Sequence, residues 1–428
     1  MNLQLPEIQT LKLLTADGKV LFSTRVVRLF AYGLLSVVLA LYLAEIGLTE
    51  TQIGLLLSLT LAGDVVVSLA ITTAADRIGR RVMLQLGAVL VIFAGTVFAW
   101  SRYLPLLTIA AIIGTISPSG NEVGPFLAIE QAALTQTLPV KSRTQVFAWY
   151  SLVGSLATAL GSLCGGALAQ SFRQLTGRAL DGYRAVIVLY ASLGMALLIL
   201  FARLSPATEI EKSSASSAPA AEPRSTGMLG LRRSRGFVIK LSGLFMIDAF
   251  AGGLIVQSLV AYWFYVRFGV RPALLGGIFF GANIFAGVSA LAAARIANRI
   301  GLVNTMVWTH IPSNILLMLV PLMPNLPLAI AVLIARFGIS QMDVPTRQSY
   351  TMAVVDPEER SAAAGVTNVA RTAASALAPL VTGGLFGAAL LSLPFFLSGG
   401  LKICYDVLLF RSFRSIRPPE ESISPQRH

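Results

Sequence analysis

Charge is scarce in this 428-residue chain: Asp, Glu, Lys and Arg together make up 12% of it, about half the share of a soluble globular protein. With a mean hydropathy of +0.75, too little polar material is left to cover the two or three domains that a soluble chain of this length would form. An ordinary cytosolic enzyme is excluded, and the lipid bilayer becomes the expected solvent. Cysteine is almost missing. Cys164 and Cys404 both lie inside apolar runs, which supports neither a disulfide framework nor a thiolate metal site. Histidine is equally rare, with His310 and the terminal His428, so a His-based metal centre is not expected. No Gly-x-x-x-x-Gly-Lys-Ser/Thr phosphate loop, His-Glu-x-x-His or Gly-x-Ser-x-Gly sequence occurs, which leaves no sign of a nucleotide-driven pump or hydrolase. No cofactor is expected. The first 20 residues lack the compact apolar core of a cleaved signal peptide. The net charge of +13 comes from bases scattered between apolar runs and not from a basic face with stacking aromatics, so nucleic acid is not an expected partner.

What the chain does contain is apolar runs of bilayer length. A spanning helix needs roughly 20 apolar residues. Twelve such runs emerge, near residues 21–45, 51–75, 82–101, 105–136, 145–169, 184–204, 237–265, 273–296, 303–323, 327–355, 362–389 and 393–413. With both termini cytoplasmic, the intracellular side carries 21 Lys+Arg, counting those at span edges. The opposite side carries 6 (Arg102, Arg173, Arg178, Arg184, Arg267 and Arg271). The other 6 of the 33 lie inside spans. The positive-inside bias sets this orientation. The Ser/Ala/Pro-rich stretch 205–236 has linker composition. It divides the chain into an expected six-helix bundle over 1–204 and a second over 237–428.

The two halves repeat. Phe30, Gly33 and Tyr42 match Phe250, Gly253 and Tyr262 at an offset of 220. Ala75 to Gly79 matches Ala297 to Gly301 at 222, and Gly120, Pro139, Gly165 and Gly166 match Gly338, Pro357, Gly383 and Gly384 at 218. Three ordered blocks at nearly constant offset indicate a six-plus-six duplication, the kind of repeat that places a substrate path between halves near the bilayer midplane.

The loop after the second run reads Asp76-Arg77-Ile78-Gly79-Arg80-Arg81. Gly79 permits a tight turn there, and Arg80 and Arg81 suit the cytoplasmic face. This loop resembles the Gly-x-x-x-Asp-Arg-x-Gly-Arg-Arg signature of the major facilitator superfamily of secondary transporters. Thr72 stands where the signature begins with Gly, and the second copy, from Asn298, has lost its acid and its last two bases. The resemblance implies an all-α integral membrane protein with twelve transmembrane helices in two pseudo-symmetric bundles. It also implies that spans 1 and 7 line a central cavity, that spans 3, 6, 9 and 12 are supports, and that Asp76, Arg77, Gly79, Arg80 and Arg81 form a conformational latch.

Ionisable residues at membrane depth are costly and are functional candidates by default. Arg28 and Asp248 occupy equivalent repeat positions with opposite charge, since 28 + 220 = 248, and are expected to face each other as an ion pair. Snorkelling of Arg28 is the bland alternative. Arg25, nearer the edge, reads as an anchor. Asp64 sits at mid-span with no base within four residues, the setting of a proton carrier. Spans 4 and 10 are interrupted, by Ser117 to Pro125 and by Ile339 to Pro345, and broken helices at depth usually line a cavity. Each break carries an acid, Glu122 and Asp343, with Arg336 before Asp343 and Arg347 after it. Glu122, Asp343 and Arg336 are therefore expected to touch substrate or the coupling ion, while Glu130 is left between a gate and an interfacial cap. Asn368 and Arg371 share a face at i, i+3 and could complete an anion site or pair with a span 10 acid. Lys402 and Asp406 are placed to neutralise each other at i, i+4, and His310 reads as a support-helix residue. Gly161, Gly165 and Gly166 in span 5, with Gly383 and Gly384 in span 11, read as packing positions.

These features point to a secondary active transporter, not an enzyme, that moves a small solute by alternating access. Proton coupling is expected through Asp64, Glu122 or Asp343. Small organic anions and amphipathic efflux substrates both stay open, and a non-transporting sensor or intramembrane enzyme is the alternative. The expected location is a bacterial cytoplasmic membrane, as a multi-pass monomer.

Overall fold

A computed structural model describes residues 14–137, 143–209, 234–356 and 359–413, and among these every regular element is helical. Ten helical spans are long and apolar enough to cross a bilayer, and two shorter apolar helices, Leu104–Ile113 and Leu326–Ser340, open the fourth and tenth spans. The twelve expected spans are thus all helical.

The described residues fall into two compact units. One draws on Met1–Ala218 and Gln257–Phe280, the other on Pro219–Val256 and Gly281–His428. Most of the expected linker, residues 210–233, lies outside the described residues.

The first unit is built on α1 (Ala16–Glu45), α2 (Glu50–Ile78), α3 (Arg80–Trp100), α4 (Leu104–Ile113), α5 (Phe126–Thr137), α6 (Arg143–Thr176) and α7 (Ala179–Ala202). Each start has a local cause. Thr15 caps α1 by accepting the Gly18 N–H, and Thr49 and Gln52 close a reciprocal capping box on α2. Pro105 opens α4, where its missing N–H is not needed. The most hydrophobic stretch of α1 is 83% buried, against 33% for α7, so α1 is the unit's central post and α7 lies at its periphery. Backbone contact makes that burial possible: a Cβ on Gly161 would lie 2.0 Å from the Phe30 carbonyl oxygen, and one on Gly33 would lie 2.1 Å from that of Thr158. Gly161 and Gly165 thus let α6 seat directly on α1.

The second unit contains α8 (Arg235–Gly253), α11 (Leu302–Leu319), α12 (Leu326–Ser340), α13 (Asp343–Val354), α14 (Arg360–Gly387) and α15 (Leu393–Phe413). α8 packs on α14 and α15, and α11 packs on α15, α12 and α13. Its close approach is at Gly253, where a Cβ would lie 2.5 Å from the Ser375 carbonyl oxygen. Gly384, expected to pack tightly, has no atom within 4 Å of such a Cβ.

One break escapes sequence inspection. Span 7 stops at Gly253 and resumes as α9 (Gln257–Phe268). α8 belongs to the second unit and α9 to the first, where α9 packs on α1. Gln257 donates to Ser36 and Ser162 Oγ at 2.8 and 3.2 Å, and Ser258 N–H donates to the Pro118 carbonyl at 3.0 Å. α10 (Pro272–Ile300) runs from the first unit into the second.

Candidate functional site

Among the described residues, each unit holds a buried ion network that joins a long helix to the broken span. In the first unit the hub is Glu130 on α5. The fully buried Arg28 guanidinium grips it with two N–H bonds of 2.7 Å, Thr24 donates to it at 2.8 Å, and the Tyr150 hydroxyl donates as well. Parallel N–H bonds of this kind are the strong, orienting form of the pair. Arg28 also donates through Nε to Glu122 at 2.8 Å, and Arg25 meets the other Glu122 oxygen at 2.6 Å. The two guanidinium groups lie over aromatic rings, Arg25 on Tyr150 at 4.4 Å and Arg28 on Phe126 at 4.7 Å, a favourable contact for desolvated cations. Two bases balance two acids.

Several expectations are refined here. Arg28 is held by Glu122 and Glu130 of its own unit, and Asp248 by Arg347, Arg371 and Lys402 of its own. Arg25 is a network member and not an edge anchor, since it reaches Glu122 and donates through Nε to the Tyr150 carbonyl at 2.8 Å. Glu130 is a buried hub and not an interfacial cap.

Asp64 stands beside this network without a cation of its own among the described residues. Its Oδ1 accepts the Gly124 N–H at 2.6 Å and the Ser68 hydroxyl at 3.2 Å. Gly124 has φ +83°, a conformation that glycine adopts freely, so the α4–α5 break turns there and aims its N–H at α2. Asp64 of α2, through Gly124, and Arg25 and Arg28 of α1, through Glu122, therefore hold the same irregular segment from two sides.

In the second unit the hub is Asp248 on α8. Lys402 reaches its Oδ1 at 2.7 Å, and Arg347 and Arg371 reach Oδ2 at 2.9 and 3.2 Å. Arg347 also pairs with Asp343 at 3.0 Å. Three bases thus meet two acids. Arg371, with 26% of its side chain exposed, is the open member, and Asn368 one turn away is exposed. The expected Lys402–Asp406 pair is not made. Lys402 turns to Asp248, while Asp406 accepts from Asn314 at 3.4 Å and lies 2.9 Å from His310 Nδ1. Arg336 makes no ion pair with Asp343 among the described residues. Its guanidinium lies 4.8 Å from the Phe337 ring, and its Nε is buried without a hydrogen-bond partner.

The two networks are duplicates of opposite polarity. Arg28 of span 1 pairs with the span 4 acid Glu130, and Asp248 of span 7 pairs with the span 10 base Arg347. Both offsets fall near 220, 28 to 248 and 130 to 347.

The Asp76 side chain lies outside the described residues. Around it, Gly79 has φ +124° and separates α2 from α3. The backbone N–H groups of Arg80 and Arg81 at the start of α3 donate to Glu209 at 2.7 and 3.0 Å, the favoured place for a carboxylate. Arg77 is exposed. Glu209 is missed by sequence reading because it lies about 130 residues away in a polar stretch.

A multi-pass bundle with ion networks at broken spans is the build of a membrane carrier, and comparison with known proteins agrees. The chain belongs to the major facilitator superfamily: the family described as Major Facilitator Superfamily matches residues 21–379, with a second match over 268–428. It is a transporter and not an enzyme. An uncharacterized membrane protein of Saccharomyces cerevisiae, YJR124C, is 32% identical over 428 residues, covering 95% of this chain and 96% of that one. The quinolone resistance protein NorA of Staphylococcus aureus is 25% identical over 138 residues, 32% of this chain and 34% of its own. Among solved structures, the nucleoside transporter NupG shares the fold with a TM-score of 0.72 at 12% identity, covering 94% of this chain and all of that one. A D-xylose-proton symporter does so with a TM-score of 0.70 at 16% identity over 92% and 97%.

Proposed function

We propose that this transporter moves a small organic anion and couples that movement to protons. The observation that carries the substrate reading is the imbalance of the second network, three bases against two acids, with the surplus on the partly open Arg371. The first network is balanced and closed. A planar guanidinium with free donors suits a carboxylate or phosphate group bound through two parallel bonds.

The proton reading rests on Asp64. Glu122 and Asp343 are engaged by arginines, whereas Asp64 is held by neutral donors on Oδ1 alone. A proton on Asp64 removes the charge that holds the Gly124 N–H. It thereby loosens the segment carrying Glu122, on which Arg25 and Arg28 depend. Carboxylate titration is thus linked to the fixing or freeing of the span 4 break, the kind of two-state element that alternating access requires. We place both termini in the cytoplasm from the distribution of bases.

The test is uptake into proteoliposomes, using anions chosen by their ability to stabilise the purified protein against heat. Substrate flux should follow an imposed pH gradient in the parent, and D64N should lose that dependence while still exchanging substrate. The R371Q variant should lose anion stabilisation. Stabilisation by amphipathic cations and by no anion would overturn the substrate assignment and favour efflux of amphipathic compounds. Parent flux without any pH-gradient response would overturn the coupling.

A further inference from the structure

Behind the second network lies a buried group that this mechanism does not use. His310 of α11 and Asp406 of α15 meet at 2.9 Å through Nδ1 and Oδ1, with Asn314 on the other oxygen. His310 is 4% exposed and Asp406 is fully buried. A support helix needs no such pair, since burying an acid without full compensation is costly. On the His310 face of α11, Ser313 Oγ and Asn314 Oδ1 are buried with no hydrogen-bond partner. They leave polar positions beside the pair that water can join. Pro312, inside α11, removes one more backbone donor there.

The decisive feature is Lys402. It lies one turn before Asp406 on the same helix, within reach of an i, i+4 pair, yet its ammonium sits 2.7 Å from Asp248 Oδ1. One cation thus has two buried carboxylates available, and the second is shared with an imidazole. We propose that His310 and Asp406 form a proton-binding site that sets where Lys402 sits. With Nδ1–H donating to Asp406, the free imidazole nitrogen is Nε2, which accepts one proton from the medium. The pair then passes from a net charge of −1 to 0. In the loaded form the imidazolium neutralises Asp406, and Lys402 stays on Asp248. In the empty form Asp406 attracts Lys402, and Asp248 is left to Arg347 and Arg371.

The titratable group packed on this site is Tyr405 of α15, whose ring meets the His310 ring edge-on at 6.2 Å; Lys402 links the site to Asp248 of α8, around which Arg347 and Asp343 of α13 and Arg371 of α14 gather. Arg336 on α12 rests on Phe337. Where the anion reading holds, the site has a further consequence: Lys402 departure draws Arg371 onto Asp248, and proton loading leaves Arg371 freer for substrate.

The chain has two histidines and six lysines, so the test is spectroscopic and needs no substrate. The full chain carrying H428A, in lipid nanodiscs with isotope-labelled His and Lys, has a single imidazole. As the pH is raised, its nitrogen resonances should pass from imidazolium to neutral. The Lys402 side-chain signal, identified by its loss in K402Q, should move with the same midpoint. D406N should abolish the Lys402 response, and H310Q should freeze it. An imidazole that keeps one form throughout, or one that titrates while Lys402 stays unmoved, overturns the proposal. If D406N and H310Q do not fold, these two outcomes in the parent still decide it. A result for or against anion stabilisation leaves this readout untouched, so the two ideas fail separately.

Discussion

Glu130 offers the sharpest test of the first network. Its carboxylate accepts two bonds from Arg28 and one each from Thr24 and Tyr150, all buried. The E130Q variant keeps the shape but removes the charge and turns an NH2 group toward donors. Breaking one side of a buried pair costs about 3–5 kcal/mol. Because Arg28 keeps its 2.8 Å bond to Glu122, the lower end, about 3 kcal/mol, is expected. The double variant R28M/E130L removes both charges together. Glu122 keeps Arg25, and the main remaining loss is the acceptor for the Thr24 and Tyr150 hydroxyls, about 1 kcal/mol each. The double variant should therefore be less damaged than the single one, by about 1 kcal/mol or more. Unfolding of the purified proteins in mixed micelles with increasing denaturing detergent measures both. An E130Q protein within about 1 kcal/mol of the parent, or a double variant as unstable as E130Q, would refute the account of Glu130 as a charge-bearing hub.

Three further outcomes follow from other parts of the molecule. G161V should prevent α1 and α6 from seating, since even a Cβ there lies 2.0 Å from a backbone oxygen. Expression and monodispersity on size exclusion should collapse, whereas G384A, in open space, should behave as the parent. G79A should lose about 1–3 kcal/mol, because φ +124° is strained for any side chain, as read from thermal unfolding. E209Q removes the charge that meets the α3 N-terminus and should speed proteolysis near residue 209, with uptake rates reporting any slowed cycle.

Helix existence was legible because the bilayer demands run length and charge-poor composition, which composition and turn residues display directly. The breaks at 114–125 and near 341 were legible for a different reason, the Pro and Gly that interrupt backbone bonding. The break in span 7 carries only Ala251-Gly252-Gly253 and no proline, too weak a signal in a segment where small residues also serve packing. Burial of Arg28 and Asp248 could be read from depth, but their partners could not. After an irregular turn, the rotational phase of α5 or α13 is set by tertiary contact, not by the spacing that fixes one helix. The same limit explains Lys402, whose local i, i+4 partner is displaced by Asp248 across the bundle.

The reversal of sign between the duplicated networks bears on how the chain assembles. Two halves of similar sequence present their spans with similar shapes, so shape alone is a poor guide to which span 4 copy belongs with which span 1 copy. Exchanging spans 4 and 10 would set Arg28 against Arg347 and Asp248 against Glu130, placing like charges together where no water screens them. The charge pattern acts as an address, rejecting the mismatched assembly by repulsion while the correct one closes on its pairs.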